Sequence, residues 1–157
     1  MDFRAYIETQ QVHRVGHRRS VVVTPETSIG DTAALMRRRA VGCVLVVDGD
    51  SLRGIFTERD LLRKVLAKAG DLSMTDPVSR GMTPDPVVAH TDEALELLLR
   101  RMHKGGFRHL PLLDPEDHVV GTISMKRVIG FLADQFAEAV YNMPPQPQNF
   151  GNRREGA

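Results

Sequence analysis

The sequence predicts a mixed α/β (α+β) protein made of two copies of one unit, strand, helix, strand, strand, helix. Three observations carry this. Hydrophobic runs recur after 66 or 67 residues, short β-branched runs alternate with segments of helical periodicity, and 41% apolar with 26% charged residues suits a chain that buries a core. At 157 residues such a chain needs no disulfide or metal to hold that core.

Residues 1–20 read as an N-terminal extension in which Phe3, Tyr6 and Ile7 can pack a helix onto the body. The first copy spans 21–70. Val21 to Val23 form a strand, and Ser28 with Asp31 three residues on marks an N-cap for a helix from Ile29 to Arg39. Gly42 is placed to end that helix, and the strands Val44 to Asp48 and Gly54 to Thr57 follow around a hairpin. Residues 71–85 hold Pro77, Gly81 and Pro84, so they read as a linker with one helical turn near Pro77 to Arg80.

The second copy spans 86–140. Thr91, with Asp92 and Glu93 behind it, takes the capping role; Leu95, Leu98, Leu99 and Met102 repeat at helical spacing, and Gly105-Gly106 ends the helix. The strands Leu110 to Leu113 and Gly121 to Ser124 lead into a last helix. Residues 141–157 are proline-rich and polar and are expected to be extended or disordered.

Composition excludes several classes of function. With 21 basic and 20 acidic side chains the net charge is +1, which argues against a broadly basic surface for nucleic acid. The clusters Arg37 to Arg39, Arg100-Arg101 and Arg153-Arg154 read as solvated faces. No run approaches the roughly 18 apolar residues of a membrane span, and the first twenty residues lack the apolar core of a signal peptide. Cys43 is the single cysteine, in keeping with a reducing, cytoplasmic location. With no Trp and two Tyr there is little to build an aromatic stacking groove. His13 and His17 have the helical spacing of two metal ligands but no third partner, and no Gly-x-Ser-x-Gly elbow is present. A scaffold, or a module that touches nucleic acid without a small ligand, is the alternative the residues leave open.

The ordered set Gly42-Cys43-Val44-Leu45-Val46-Val47-Asp48, Gly54-Ile55-Phe56-Thr57-Glu58-Arg59-Asp60-Leu61, Met82-Thr83-Pro84-Asp85-Pro86 and Phe107-Arg108-His109-Leu110-Pro111-Leu112-Leu113-Asp114 resembles the paired cystathionine-beta-synthase (CBS) domains, or Bateman module. The resemblance covers Val21 to Leu132. It implies two β-α-β-β-α repeats packed about a pseudo-twofold axis, a homodimer shaped as a disc, and a regulatory rather than catalytic role. The implied ligand is an adenine nucleotide, AMP, ADP or ATP, with S-adenosylmethionine or NAD as alternatives. No cofactor is required, and the regulated partner protein is unknown.

In that family a glycine, then Thr or Ser, then Asp mark each ligand cleft. The first copy has Gly54, Thr57 and Asp60 in register, so Asp60 is the expected acceptor for a ribose diol. In the second copy Gly121 and Ser124 match, but Arg127 stands where the acid belongs. A guanidinium has no acceptor to offer a diol, so this cleft is not expected to be an ordinary nucleoside site. The resemblance places phosphate readers in the opposite copy: Arg108 and His109, with Lys126 adding a third positive group. The base is expected against Ile55 and the strand Val87, Val88 and Ala89, and Arg59 is placed to reach a more distal phosphate.

Overall fold

The computed structural model describes residues 2–67 and 70–141. Helix α1 (Phe3–Thr9) is capped by Asp2, whose carboxylate accepts from the Arg4 N–H at 3.0 Å. Its Phe3 and Tyr6 rings lie 5.3 and 5.4 Å from that of Phe136. One 3-10 turn (Val12–Val15) leads to β1 (Val22–Val23), α2 (Ile29–Arg39), β2 (Cys43–Asp48) and β3 (Ser51–Thr57). Helix α3 (Glu58–Asp60) continues directly as a wider π-helical stretch (Leu61–Leu66). Then come α4 (Val78–Gly81), β4 (Thr83–Pro84), β5 (Ala89–His90), α5 (Leu95–Gly105), β6 (His109–Leu113), β7 (Val119–Ser124) and α6 (Met125–Tyr141). The tail expected to be extended lies outside the described residues, apart from Tyr141.

The first sheet has the order β1-β2-β3-β4 and the second β5-β6-β7. In each, the leading strand runs parallel to its neighbour across a helical crossover, α2 or α5, and a hairpin supplies the next strand. Cys43 to Val46 are all buried because both faces of β2 are covered. Val44 and Val46 join Phe56, Ile29, Met36 and Val78 in one core. Their neighbours Cys43 and Leu45 point the other way with Ile55 and meet Val119 of β7. The alternation of one strand therefore fastens the first copy to the second. The other core gathers Leu95, Leu98 and Met102 of α5 with Leu110, Leu112 and Ile123.

The two copies exchange their leading segments. Val12 and Val15 are buried in the core of the second copy, and Gln11 and Arg18 bridge to Ala94 and Thr122. Sixty-six residues on from Val12, Val78 is buried in the core of the first copy, Pro77 bridges to Ser28, and Pro84 pairs with Gly54. The segments read as an extension and a linker supply these contacts. Glycine makes the approach possible: a Cβ at Gly54 would lie 2.7 Å from the Thr83 carbonyl, and one at Gly121 would strike the Arg18 carbonyl.

Two capping expectations are corrected. Ser28 does cap α2, its Oγ accepting from the Asp31 N–H at 3.0 Å, but Thr91 does not cap α5. That helix begins after Ala94, and its Leu95 N–H donates instead to the Gln10 carbonyl at 2.8 Å. The exchanged segment supplies the acceptor, as the Asp76 carbonyl does for Ile29 at 2.9 Å. Helix α2 ends on Ala40, φ +50°, rather than on Gly42, whereas α5 ends on Gly106, φ +64°.

Candidate functional site

Two cavities open where the copies meet. The first, of about 430 Å³, is floored by the end of β3 and the start of α3. Thr57 and Asp60 form a reciprocal capping box there. The Thr57 Oγ accepts from the Asp60 N–H at 3.2 Å, while Asp60 Oδ2 accepts from the Thr57 N–H and hydroxyl, each at 3.0 Å. The Lys64 ammonium lies 2.9 Å from Asp60 Oδ1. The Glu58 N–H donates to the Gly42 carbonyl at 3.0 Å. Two of the first three N–H groups of α3 are thus spent within the chain, so an anion in this cavity must rely on side-chain cations rather than on the helix end.

The opposite wall comes from the second copy, Gly105 to Pro111 with Pro86 and Val87. Burial holds His109 below its usual 6.5; Glu58 pulls it back up and Arg108 pushes it further down. Gly42 leaves room for this ring: a Cβ there would come within 3.3 Å of His109 Cε1, so the imidazole would have to give by a few tenths of an ångström. His109 and Gly42 line both cavities and so form part of the partition between them. In the first cavity three basic residues, Arg59, Arg63 and Arg108, are matched by three acidic ones, Glu58, Asp60 and Asp85. Ile55, Val87 and Phe107 add apolar surface. Such a mixture suits a ligand with an anionic end, a flat apolar part and neutral donors.

The structure thus brings Ile55, Thr57, Arg59, Asp60, Val87, Arg108 and His109 into one cavity. Val88, Ala89, Ser124 and Lys126 do not join them; the expectation is corrected for Val88, Ala89 and Lys126, while Ser124 belongs to the other cleft with Arg127. The Val88 carbonyl accepts from Arg101, which also pairs with Glu93, and this draws the strand toward α5. Ala89 is fully buried in the second core, opposite Leu112. Ser124 and Lys126 stand where β7 enters α6, and they line the second cavity with Arg127.

Arg63, Thr83, Asp85 and Phe107 line the first cavity without having been singled out as ligands. Thr83 and Asp85 were legible: the 66-residue offset, carried upstream of Val21 and Val87, sets Val12-His13-Arg14 beside Val78-Ser79-Arg80 and so marks the segment that carries them. Phe107 opens the segment that carries Arg108 and His109, and Arg63 lies one helical turn beyond Arg59, so adjacency to the expected ligands is the signal for both.

The second cavity, about 540 Å³, is lined by Arg18, Arg19, Lys126, Arg127 and Asp134 among charged residues, with Cys43 and Val21 in its wall. Burial, and secondarily Glu58, pushes the Cys43 thiol up to about 11. Among the described residues no group of acidic, histidine and cysteine side chains is placed to hold a metal ion. No described helix is long and apolar enough to cross a membrane.

A family model described as CBS domain matches residues 12–67 and again 69–134. Over 128 residues, 78% of this chain, the sequence is 34% identical to an inosine-5'-monophosphate dehydrogenase from Thermoplasma acidophilum. The chain spans 14%, 25% and 19% of the length of three curated relatives it matches. A crystal structure of a CBS-domain containing protein from Agrobacterium tumefaciens, 33% identical, superposes with a TM-score of 0.68 over 76% of this chain and 96% of that one. A CBS domain protein from Pyrobaculum aerophilum, complexed with AMP, gives the same TM-score at 17% identity, over 80% of this chain and 99% of that one.

Proposed function

The chain belongs to the CBS domain family, as a pair of such domains, and from that premise we propose that it is a cytosolic, non-catalytic sensor whose first cavity binds an adenine nucleotide. One observation supports this above the others: Asp60 and Thr57 of one copy share a cavity with Arg108 and His109 of the other. A ribose diol on Asp60 and a phosphate on Arg108 require those partners at opposite ends of one ligand. Ile55 and Val87 offer aliphatic cover for the base. That a fold neighbour is described as an AMP complex agrees with this reading.

Because each copy supplies half of the site, ligand binds the docked arrangement better than any splayed one and stabilises it by mass action. The output is a change in dimer geometry or in affinity for a regulated protein. Leu62 and Ile129, 60% and 58% exposed, occupy matching positions on the last helical segments of the two copies, and Leu66 is exposed beside Leu62. Burying these apolar side chains against a second copy is the reading for a homodimer.

The test is a thermal-shift panel of AMP, ADP, ATP, S-adenosylmethionine and NAD against the wild type and Asp60→Ala. An adenine nucleotide is expected to raise Tm in the wild type only. An equal rise in Asp60→Ala would remove the ribose assignment, and a response confined to S-adenosylmethionine or NAD would replace the ligand.

A further inference from the structure

The two cavities differ in charge more than in size. The first balances three basic residues against three acidic ones, whereas the second has four basic residues against Asp134 alone. These four come from two separate segments. Arg18 exchanges backbone hydrogen bonds with Thr122, its N–H donating at 3.1 Å and its carbonyl accepting at 3.0 Å, which fixes Arg18 and Arg19 beside β7. Lys126 and Arg127 open α6, where the Arg127 N–H donates to Ser124 Oγ at 3.2 Å. The backbones are therefore fixed while the cationic heads are available. Among the described residues none of the four makes a salt bridge. Arg18 makes one side-chain hydrogen bond, to the Ala40 carbonyl at 3.2 Å, leaving further donors on its guanidinium.

Gathering four like charges around one cavity against a single acidic residue, Asp134, raises the potential inside it. At the position of the first cavity's Asp60 stands Arg127, which has no acceptor for a diol but matches a phosphate's oxygens in a bidentate manner. Its Nη1 would lie 3.7 Å from a Cβ on Gly16, so the guanidinium reaches from α6 toward the exchanged segment that carries Arg18 and Arg19. We propose that this second cavity is a site for a compact polyphosphate anion, inorganic pyrophosphate being the smallest, bound without need of a nucleoside. Cations on two sides suit an anion with two phosphoryl groups better than one with a single phosphoryl group.

The proposal is independent of the ligand assigned to the first cavity, and the variants keep the two apart. Full-length protein is titrated calorimetrically with pyrophosphate, and with sulfate at matched ionic strength. Pyrophosphate is expected to saturate one site per chain and to bind at least about tenfold more tightly than sulfate. Each cation removed takes away a charge-assisted hydrogen bond, so Arg19→Ala with Arg127→Ala is expected to weaken binding about a hundredfold, and Lys126→Gln alone about tenfold. Circular dichroism establishes that the variants fold, and the milder Lys126→Gln decides the matter if the double variant does not.

Arg108→Ala, which removes a cation of the first cavity, is expected to leave pyrophosphate affinity unchanged. In the Asp60→Ala background ADP is expected to bind no more tightly than pyrophosphate, which separates the free anion from the tail of a nucleotide. The proposal is overturned if pyrophosphate binds no better than sulfate, or if the Arg19, Lys126 and Arg127 variants bind it as the wild type does. Loss of pyrophosphate binding in Arg108→Ala, which would place the anion in the first cavity, or tighter binding of ADP than of pyrophosphate in Asp60→Ala overturns it as well.

Discussion

Lys64 ties Asp60 to the exchanged segment: its ammonium lies 2.9 Å from Asp60 Oδ1 and donates to the Gly81 carbonyl at 2.7 Å. A carboxylate has about four acceptor sites. Thr57 takes two of them through its N–H and hydroxyl, and Lys64 takes a third. A ribose diol donating twice to Asp60 therefore has to displace Lys64 or the Thr57 hydroxyl. The ligand cleft and the docking of α4 are joined through one side chain.

Lys64→Met is expected to free Asp60 Oδ1 and to tighten adenosine, which carries a diol and no phosphate, by several-fold. The same change leaves the Gly81 carbonyl without its donor and costs about 1 kcal/mol of stability. Calorimetry with adenosine and urea unfolding measure the two effects. Unchanged or weaker adenosine binding would show that Lys64 does not compete for the carboxylate.

Gly54→Ala is expected to pry β4 from β3, because its Cβ would meet the Thr83 carbonyl at 2.7 Å and the Met82 sulfur at 2.5 Å. A backbone carbonyl cannot swing aside as a side chain does, so a cost of about 1–3 kcal/mol is expected in urea unfolding. Nucleotide affinity is expected to fall as well, since Thr83 and Asp85 would leave the cavity wall with β4.

His109 makes stability depend on pH. Its folded pKa lies below 6.5, so between the folded value and 6.5 the unfolded chain carries the extra proton. The contribution is complete above 6.5 and is lost as pH falls through that window. His109→Gln is expected to flatten this part of the stability profile relative to the wild type, as read by urea unfolding from pH 8 to pH 5. Parallel profiles would contradict the assignment.

Cys43 is 5% exposed with its thiol pushed up to about 11, so little thiolate forms near neutrality and access is poor. Iodoacetamide is expected to leave the folded protein unmodified at pH 8 and to alkylate it in denaturant. Rapid labelling of the folded chain would contradict the burial. Above pH 9 the unfolded thiol ionises first, so this group's contribution to stability declines as pH rises from 9 toward 11.

Much of the molecule follows from the sequence alone. The offset of 66 or 67 residues determined two like units, β-branched runs beside helical periodicity determined their elements, and the family resemblance, with Asp60 set against Arg127, implied that the two clefts differ. These are legible because periodicity and chemical type belong to the chain itself. Tertiary structure alone decided the exchange of Val12 and Val78 between cores, the capture of Leu95 by the Gln10 carbonyl, and the hold of Lys64 on Asp60. It also moved Lys126 from the first cavity to the second. Each of these depends on which surfaces meet when two half-sized units bury one another's faces. A contact between segments distant in sequence leaves no local pattern by which to read it.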